Sequence, residues 1–386
     1  MYDIELQTDA PDGASRLNVV LPSLASDTAF GGVTSAFELA RTLASHYDVC
    51  RFISLFEKEP PPACSEYDRF AHLNDSAART ELFFAASGNS LPCRENDVFL
   101  ITYYAGFIFW DKLRKARLKR GLEPLPFYYF IQDWEPGFAP LGRNHALALH
   151  SYAFGSLTRA IINSETLAEH LRVNGCRFSE EYVLKPSLNS DLAAFLRHNS
   201  FRLPAKGGER TILLFYGRPG LPRNCFEVGV ETLQLFFSGL PPTGRSRFTA
   251  LSAGLPHEDI PLADGVLLKS LGRLPVKEYI ALLLKAHVGL SLMISPHPSY
   301  PPLEMALFGL ATVTTDYGVK TMQGVHPLLT SARLPDPEEL LVLLRRAVVT
   351  ASGLKNRTQR AVLPTSMSSL DWVENFASLR IRPIVP

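Results

Sequence analysis

The chain has 386 residues, of which 46% are hydrophobic and 20% charged, and its formal net charge is +1 at pH 7. This length is too great for a single hydrophobic core, so two domains are expected. The ordinary composition argues against long disordered tracts, and the near-zero net charge argues against a global field that would attract nucleic acid or membranes.

The first half of the chain alternates short apolar runs with amphipathic segments, the pattern of a doubly wound parallel sheet. Residues 17–22 predict a buried strand, and Gly31-Gly32 predicts a small-residue turn before a helix that ends near Tyr47. Further strands are predicted at 49–55, 97–104, 127–132, 160–163 and 182–184, with helices at 107–120, 145–157 and 167–173. The pattern therefore predicts an N-terminal Rossmann-like domain over residues 1–205.

The apolar periodicity breaks between Asn189 and Arg210, and we predict the interdomain linker there. A second series follows, with strands at 211–216, 248–252, 267–271, 288–294 and 312–315 and helices at 226–237, 276–286, 302–308 and 337–349. These elements predict a second Rossmann-like domain over residues 206–365. A helix is predicted in the remaining tail, 366–386.

The cysteines and the first residues indicate the cellular compartment of the protein. The five cysteines are widely spaced and form no C-x-x-C pair, which argues against a disulfide framework or a zinc site; they are Cys50, Cys64, Cys93, Cys176 and Cys225. The first fifteen residues are polar and acidic, unlike a secretory signal peptide. The most apolar stretch, 279–294, is interrupted by Lys285 and His287 and does not predict a membrane span. We therefore expect a cytoplasmic protein with mostly buried, reduced cysteines.

Several common ligand-binding motifs are missing. The sequence contains no G-x-x-x-x-G-K-[ST] loop, G-x-G-x-x-G turn, H-E-x-x-H pair, G-x-S-x-G elbow or D-x-D pair. We therefore expect ordinary side chains, helix ends and loops to bind the ligand. In open α/β sheets these groups lie at the carboxyl ends of the strands, and two such domains can present two edges to one ligand.

Three arginines follow predicted strands of the second domain. Arg218 and Arg223 come after the strand at 211–216, and Arg273 comes after the strand at 267–271. Converging guanidinium groups near a helix N-terminus would neutralise a diphosphate leaving group without a metal ion. The alternative is that these are surface arginines that cap loops.

A proline-stiffened loop precedes the helix predicted at 302–308; its sequence is Ser295-Pro296-His297-Pro298-Ser299-Tyr300-Pro301-Pro302-Leu303-Glu304. Glu304 falls in the first turn of that helix, where the helix dipole favours a carboxylate. Such a carboxylate can accept hydrogen bonds from a ribose diol. The alternative is an ordinary acidic residue at a helix N-terminus.

The first domain offers two candidate positions for a sugar or acceptor. Small residues at Gly31-Gly32 would let a phosphate or sugar approach the backbone, although an ordinary βα turn has the same composition. The sequence Gln132-Asp133-Trp134-Glu135 closes a strand. A carboxylate beside aromatic rings suits sugar binding or deprotonation of an acceptor, and Asp133 is also a normal turn residue.

Phe107-Ile108-Phe109-Trp110 leads into a basic helix that runs to Arg120. Aromatic residues followed by basic ones suit anionic lipid headgroups or a diphosphate-lipid acceptor, and would place the protein at the inner face of the membrane. A solvated basic helix face is the alternative. Nucleic acid is a poorer fit, because the net charge is near zero and no recognition motif is present.

These residues carry a family resemblance. The chain resembles glycosyltransferase family 4, whose members have the GT-B fold, and is most similar to WsaF-type rhamnosyltransferases of bacterial polysaccharide and S-layer glycan assembly. The most specific piece is Met293-Ile294-Ser295-Pro296-His297-Pro298-Ser299-Tyr300-Pro301-Pro302-Leu303-Glu304-Met305. Supporting pieces are Phe130-Ile131-Gln132-Asp133-Trp134-Glu135, Tyr216-Gly217-Arg218-Pro219 with Arg223-Asn224, and Leu271-Gly272-Arg273-Leu274.

The resemblance implies a retaining transfer of L-rhamnose from dTDP-β-L-rhamnose to a growing glycan, with no metal or other cofactor. Arg218 and Arg273 would then bind the diphosphate and Glu304 the ribose of the donor, while Asp133 would lie on the acceptor side near the reaction centre. Arg223, Ser295, His297, Ser299 and Tyr300 complete the expected donor site. The tail near Trp372 would cross back onto the first domain.

Two departures from the wider family keep alternatives open. Pro296 stands where many members have a glutamate that contacts the donor sugar, so the sugar is not fixed by the resemblance. Arg223 or Arg273 stands where many members have a lysine, which keeps the charge but not the shape. A transferase for a UDP- or GDP-linked sugar, a GT-B-type epimerase and a degenerate protein that binds without turnover remain alternatives.

Overall fold

The computed structural model describes residues 2–7, 14–24, 31–59, 78–367, 376 and 378–385. The chain forms two compact units, Met1–Leu184 with Trp372–Pro386, and Lys185–Asp371. In its described residues each unit contains a seven-stranded sheet flanked by helices. The expected fold class, two doubly wound α/β domains in series, is confirmed.

The sheet of the first unit is wholly parallel. Its strands are β2 (Arg16–Leu21), β3 (Val49–Ser54), β4 (Arg79–Phe84), β6 (Val98–Ile101), β7 (Phe127–Ile131), β8 (Thr158–Ile162) and β9 (Glu180–Val183), and β1 (Ile4–Leu6) pairs separately with β5 (Leu91–Cys93). The helices are α1 (Gly31–Ala44), α2 (Phe107–Lys119), α3 (Arg143–Ser151) and α4 (Glu165–Val173). The strand order is β4-β3-β2-β6-β7-β8-β9, so the direction of winding reverses between β2 and β6.

The central strands of this sheet are buried on both faces. Along β2, Leu17, Val19 and Leu21 join one hydrophobic cluster, and Val20, between Val19 and Leu21, joins the cluster on the opposite face. Every residue of β2, β3 and β7 is buried. This explains why these segments have near-continuous apolar sequences, as is usual for parallel strands covered by helices.

The described part of the C-terminal tail belongs to the first unit. Phe376, Ile381 and Ile384 lie in its hydrophobic core. The Tyr47 hydroxyl donates to the Ile384 carbonyl at 3.1 Å, and the Ile384 N–H donates to the Tyr128 hydroxyl at 2.7 Å. The tail therefore returns to the first unit, as the resemblance implied. Most of the helix predicted in the tail, Trp372 included, lies outside the described residues.

The sheet of the second unit is parallel except for one edge hairpin. Its strands are β11 (Thr211–Gly217), β12 (Phe248–Gly254), β13 (Ile260–Ala263), β14 (Val266–Ser270), β15 (Val288–Leu290), β16 (Ala311–Thr315) and β17 (Leu329–Ala332), and β10 (Arg202–Leu203) pairs separately with β18 (Gln359–Arg360). The helices are α5 (Ser190–His198), α6 (Phe226–Ser238), α7 (Pro242–Arg245), α8 (Val276–Lys285), α9 (Pro301–Leu307) and α10 (Pro337–Leu354). The order is β13-β14-β12-β11-β15-β16-β17.

The predicted linker at 189–210 is wrong, because this segment contains α5 and β10. The Asn189 side chain caps α5 by accepting a hydrogen bond from the Asp191 N–H at 2.9 Å. Leu192 and Leu196, one helical turn apart, are buried in the core of the second unit. The segment therefore packs with the second unit, whose compact part begins at Lys185 and not near residue 206.

Two smaller corrections concern local structure. Gly31-Gly32 forms the first turn of α1 and not a loop before it. Strand β15 ends at Leu290, four residues before the predicted end of that strand, and an irregular segment follows.

The described cysteines are free, as expected: Cys50, Cys93 and Cys225 are buried and Cys176 is half-buried. Cys64 lies outside the described residues. Among the helices that the structure describes, none is long and apolar enough to cross a membrane.

Candidate functional site

The carboxyl end of β11 leads directly to the first predicted phosphate ligand. A Cβ atom on Gly217, the last residue of β11, would lie 2.3 Å from Ser252 Oγ and 2.9 Å from the Phe226 ring. Only glycine fits this close approach between the strand, β12 and α6. Arg218 follows at once, so its position is fixed by the packing of the strand that precedes it.

Arg218, Arg223 and Arg273 form a cluster of positive charge, which we call the arginine cluster. Burial lowers the pKa of the Arg218 guanidinium, and the neighbouring charges of Arg223 and Arg273 lower it further. Arg218 and Arg223 are half-buried and Arg273 is exposed. The structure thus brings together the three arginines that the sequence placed after two different strands. Such a cluster suits a doubly charged anion.

Glu304 lies next to the arginine cluster. Burial raises the pKa of the Tyr216 hydroxyl; the charges of Arg218 and Arg273 oppose this, and that of Glu304 adds to it. Tyr216 is therefore close to members of both groups. Because Tyr216 is in β11 and Glu304 is in the first turn of α9, the sheet edge and the helix start meet here.

The Glu304 carboxylate is held by Tyr279 of α8. The Tyr279 hydroxyl donates to Glu304 Oε2 at 3.2 Å. Burial raises the pKa of Glu304 to about 7, and the hydrogen bond from Tyr279 acts in the opposite direction. A carboxylate with a pKa near neutrality changes its charge in the physiological range. Tyr279 was not predicted, and its position 25 residues before Glu304 gives no signal in the sequence.

The loop before α9 is built by its own polar side chains. The His297 N–H donates to Ser295 Oγ at 3.0 Å, and the Ser299 N–H donates to His297 Nδ1 at 3.0 Å. Ser299 has a φ of 65°, in the left-handed region that non-glycine residues rarely adopt. Tyr300 packs its ring 5.2 Å from that of His297. The predicted donor ligands Ser295, His297 and Ser299 are buried, and these contacts give them a role in shaping the loop.

Hydrogen bonds from neighbouring segments of the chain hold the start of this loop. The Ile294 N–H donates to the Arg223 carbonyl at 2.7 Å, which ties the loop to the arginine cluster. The Met293 N–H donates to Thr315 Oγ1 at 2.9 Å, and this hydroxyl is within 3.1 Å of the Met293 carbonyl. The buried Lys320 ammonium donates to the same carbonyl at 3.0 Å. Sequence reasoning missed Thr315 and Lys320, because their contacts span more than twenty residues.

In the first unit, Gly32 and Gln132 are brought together. A Cβ atom on Gly32 would lie 2.5 Å from Gln132 Oε1, so the amide of Gln132 occupies the space beside the glycine. Gln132 follows β7 and Gly32 is in the first turn of α1. The structure therefore joins two of the predicted acceptor-side positions at the carboxyl edge of the first sheet.

Asp133 and Trp134 lie beside an aromatic group. Asp133 is buried, and its Oδ1 accepts the Trp134 N–H at 2.8 Å. The Trp134 ring stacks on Tyr152 with centroids 5.7 Å apart and contacts His170 edge-on at 4.9 Å. Burial lowers the pKa of His170, and the charge of Asp133 opposes this shift. His170 of α4, which was not predicted, is thus a neighbour of Asp133.

Glu135 has a different environment from the one predicted. It is buried, and its Oε2 accepts a hydrogen bond from the Tyr129 hydroxyl at 2.5 Å. The same hydroxyl lies 2.9 Å from Ser151 Oγ. The Tyr129 hydroxyl of β7 therefore connects Glu135 with Ser151 of α3 inside the domain.

The basic helix α2 turns its aromatic residues inward. Phe107, Phe109 and Trp110 are buried in the core of the first unit. Arg114 and Lys115 pair with Asp111 of the same helix at 2.7 and 2.6 Å. Burial removes the three rings from any contact with anionic headgroups, and such a contact by the basic side chains of α2 stays a prediction.

Two solved structures of low sequence identity share this architecture. Sucrose-phosphate synthase from Thermosynechococcus elongatus is 12% identical, with a TM-score of 0.55 over 95% of this chain and 94% of that chain. The N-terminal domain of trehalose-6-phosphate phosphatase from Candida albicans is 11% identical, with a TM-score of 0.53 over 98% and 96%. The likeness shows the fold: this is a protein of the GT-B class.

Sequence comparison gives the family. The models of the WsaF N-terminal domain and the WsaF C-terminal domain match residues 16–165 and 211–345, which together are more than half of the chain. The chain belongs to the WsaF family, and the resemblance read from the sequence is confirmed. The O-antigen biosynthesis protein RfbC from Myxococcus xanthus is 36% identical over 222 residues. That match covers 57% of this chain and 16% of the much longer relative.

Proposed function

We propose that the protein is a glycosyltransferase that uses a nucleotide-sugar donor in the assembly of a bacterial surface polysaccharide. The observation that carries this proposal is the arginine cluster beside Glu304 at the carboxyl edge of the second sheet. Family membership supports the reaction class, and the relative named for O-antigen biosynthesis supports the pathway. An Escherichia coli structure of the same fold (TM-score 0.51, 12% identity, 94% of each chain) was solved with UDP-2-fluoroglucose.

The proposed donor contacts are of two kinds, cationic groups for the diphosphate and a carboxylate for the ribose. The guanidinium groups of Arg218, Arg223 and Arg273 bind the diphosphate through charge-assisted hydrogen bonds. The ionised carboxylate of Glu304 accepts hydrogen bonds from the two ribose hydroxyls, and Tyr279 holds it in place. Ser295 and His297 shape the loop beside the donor and do not bind it through the atoms already used within the loop.

The proposed reaction breaks the bond between the anomeric carbon and the β-phosphate oxygen. The arginine cluster stabilises the diphosphate as it leaves, a role that a metal ion fills in other transferases. The acceptor hydroxyl attacks the same face of the sugar, and its proton passes to the departing phosphate, so the configuration is retained. Among the described residues, no group of three or more His, Cys, Asp or Glu side chains is placed to hold a metal ion.

Asp133 is the proposed acceptor-side residue. Its buried position after β7, beside Trp134, suits a group that orients a sugar hydroxyl for attack. Gly32 and Gln132 lie at the same sheet edge and would line the acceptor. A glycan held there, free or attached to a lipid, is the proposed acceptor.

The proposed donor is dTDP-β-L-rhamnose. This choice rests on the loop 293–305, whose sequence resembles that of WsaF-type rhamnosyltransferases, and on membership of the family. A UDP- or GDP-linked sugar is the second candidate, because Pro296 replaces a residue that contacts the sugar in the wider family. A protein that binds the nucleotide without turnover is the candidate from another class.

Calorimetric titration tests the donor assignment. The purified protein is titrated with dTDP, UDP and GDP in EDTA, and then with dTDP-rhamnose. We expect the tightest binding for dTDP, and turnover of dTDP-rhamnose when an acceptor glycan is added. Arg218→Ala should weaken binding at least tenfold, whereas Arg346→Ala, an exposed arginine of α10, should not change it. Equal binding to both variants would contradict the proposed site, and preference for UDP or GDP would move the donor assignment alone.

A further inference from the structure

A pocket in the second unit lies near the amino end of β11, whereas the arginine cluster lies at the carboxyl edge of the same sheet. It has a volume of about 570 Å³ and is lined by residues around Lys206 and the start of β11, Ile212 among them. Gly217 comes five positions after Ile212 in β11, which is about 16 Å in a parallel strand. The pocket is therefore distinct from the arginine cluster. Its volume falls within the range of about 300–1,000 Å³ that small-molecule sites occupy.

The charged lining residues of this pocket are all cations. Lys206, Arg210 and Lys285 line it, with no aspartate or glutamate. Among the described residues none of these three cations forms an ion pair with a carboxylate. Lys206 is buried, and Arg210 and Lys285 are exposed at the rim. A buried ammonium group without a counter-charge is costly, so the pocket favours an anion.

The Lys206 ammonium also offsets the partial negative charge of a helix C-terminus, which would otherwise repel an anion. Its ammonium donates to the carbonyls of Leu283 and Ala286, at 2.8 and 2.5 Å, at the C-terminal end of α8. A helix C-terminus carries partial negative charge, which Lys206 neutralises. Burial lowers the pKa of Lys206 to about 7, which reflects the cost of keeping the ammonium charged in this environment. A bound anion would offset that cost.

The rest of the lining is apolar or small. Ile212, Ala281 and Leu284 form an aliphatic surface beside the cations. Gly207 and Gly208 leave the mouth open: a Cβ atom on Gly207 would meet only Asn356 Oδ1, at 3.6 Å. A ligand that fits this lining has an anionic head and an aliphatic body.

We propose that the pocket binds an alkyl phosphate, with its phosphate against Lys206, Arg210 and Lys285 and its chain against Ile212, Ala281 and Leu284. The ligand is either a dispersed small molecule or the headgroup region of an anionic lipid. Both share a phosphate attached to an aliphatic body.

The test is titration of the whole protein with monomeric octyl phosphate, with inorganic phosphate and octyl glucoside as head-only and body-only controls. We expect octyl phosphate to bind at least tenfold more tightly than either control. The double change Arg210→Glu and Lys285→Glu should weaken binding at least tenfold. The control is a double charge reversal on α10, Arg345→Glu and Arg346→Glu, which should leave octyl phosphate binding unchanged. Gly207→Phe, which fills the mouth of the pocket, should abolish binding.

A second arm distinguishes the two sources of the ligand. Sedimentation with phosphatidic acid vesicles that is lost in the Arg210→Glu and Lys285→Glu variant assigns the pocket to a lipid surface. Binding of octyl phosphate without sedimentation assigns it to a dispersed ligand. Octyl phosphate binding that the pocket variants do not change, or no binding, would overturn the proposal. Nucleotide binding at the arginine cluster should be the same in all pocket variants, so the two proposals fail separately.

Discussion

At the scale of single residues, the protonation state of Glu304 is the feature with the clearest functional consequence. Its pKa of about 7 is raised by burial and is partly opposed by the hydrogen bond from Tyr279. A protonated carboxyl accepts hydrogen bonds from a ribose diol less well than a carboxylate does. If Glu304 binds the ribose, donor affinity must depend on pH around neutrality.

Donor affinity should therefore rise with pH through about 7. The folded pKa lies above the ordinary glutamate value, so the carboxylate form predominates only above about pH 7. One unit below the pKa roughly a tenth of Glu304 is ionised, so binding to a nucleotide sugar should be up to about tenfold weaker there. A nucleotide sugar is the right probe, because its phosphates carry no proton that titrates in this range.

The control for this prediction is Glu304→Gln. It should bind the nucleotide sugar with an affinity that is nearly constant between pH 6 and 8. Tyr279→Phe should move the midpoint of the parent's profile to higher pH, because the hydrogen bond that lowers the pKa of Glu304 is lost. A Glu304→Gln profile as steep as that of the parent would show that another group is responsible.

Asp133→Ala should separate catalysis from nucleotide binding. Asp133 is in the first unit, whereas the arginine cluster is in the second. We expect a fall in kcat of about 10²–10⁴, the usual cost of losing a group that orients or deprotonates a nucleophile, with the Kd for the nucleotide changed less than twofold. Single-turnover rates and calorimetry on the same preparation measure both. If nucleotide affinity fell as much as the rate, Asp133 would contribute to nucleotide binding, and the proposed acceptor-side role would be wrong.

At the scale of elements, the loop that precedes α9 depends on its neighbour β16. Thr315, the last residue of β16, contacts both the N–H and the carbonyl of Met293, and Lys320 reaches the same carbonyl. These buried bonds fix a loop that leads into α9, whose first turn contains Glu304. The stability of the loop and the donor affinity should therefore change together.

Thr315→Val should destabilise the protein by about 1–3 kcal/mol, because it leaves the buried N–H of Met293 without its hydrogen-bond partner, although Lys320 still donates to the Met293 carbonyl. The nucleotide Kd should rise as well. Thr330→Val on β17 is the matched control, since the Thr330 hydroxyl makes only a 3.4 Å contact with the Thr312 carbonyl. Thermal unfolding and calorimetry provide the two readings. Equal effects of the two changes on nucleotide binding would show that the loop does not need Thr315.

The residue that precedes β15, His287, is sensitive to pH. His287 Nδ1 accepts the Ile212 N–H at 3.1 Å, and burial, with the charges of Lys206 and Lys355, lowers the pKa of His287 to about 4. The unfolded chain takes up this proton near pH 6.5 and the folded protein only near pH 4. Stability is therefore unaffected above about pH 6.5 and falls as the pH drops from there towards 4.

Between pH 6.5 and 4.5, uptake of this proton by the unfolded chain should lower the free energy of unfolding of the parent protein by about 1–2 kcal/mol. This value is smaller than the full pKa shift of His287 would give, because solvent screens part of the interaction. Urea unfolding at several pH values measures the loss. His287→Asn, which cannot take up a proton, should lose less stability over the same interval. The same acid loss in both proteins would assign the effect to other groups.

At the scale of the whole molecule, the alternation of buried strands and amphipathic helices was predictable because the central parallel strands are covered on both faces. Segments such as 127–131 are therefore almost wholly apolar. The arginine cluster was predictable for a related reason, since the carboxyl ends of parallel strands share one edge. The short helix α5 was missed because its apolar spacing extends over only two turns.

Other features depend on contacts that the order of residues does not reveal. Tyr279 with Glu304, and Met293 with Thr315, are joined only by the folding of α8 and β16 against the same edge. Ser295 and His297 were predicted as donor ligands from their place in the loop, and the structure adds that Ser295 Oγ and His297 Nδ1 accept hydrogen bonds from the loop backbone. The sequence shows which side chains are close to the site along the chain, but only the fold shows which of their atoms form hydrogen bonds within the loop.

The two family models fall one on each unit, 16–165 on the first and 211–345 on the second. The segment that holds α5 and the C-terminal tail lies outside both matches. The described tail contributes Phe376 and Ile384 to the first core. These parts complete the two cores, so they belong to the folded units although neither family model covers them.

The central claim is that the arginine cluster and Glu304 form a nucleotide-sugar site, and the most direct test is calorimetric titration with dTDP in EDTA. We predict one site per chain in the parent protein, with binding weakened at least tenfold by Arg218→Ala or Arg273→Ala and unchanged by Arg346→Ala. Binding that is absent from the parent, or that survives loss of both Arg218 and Arg273, would contradict the claim.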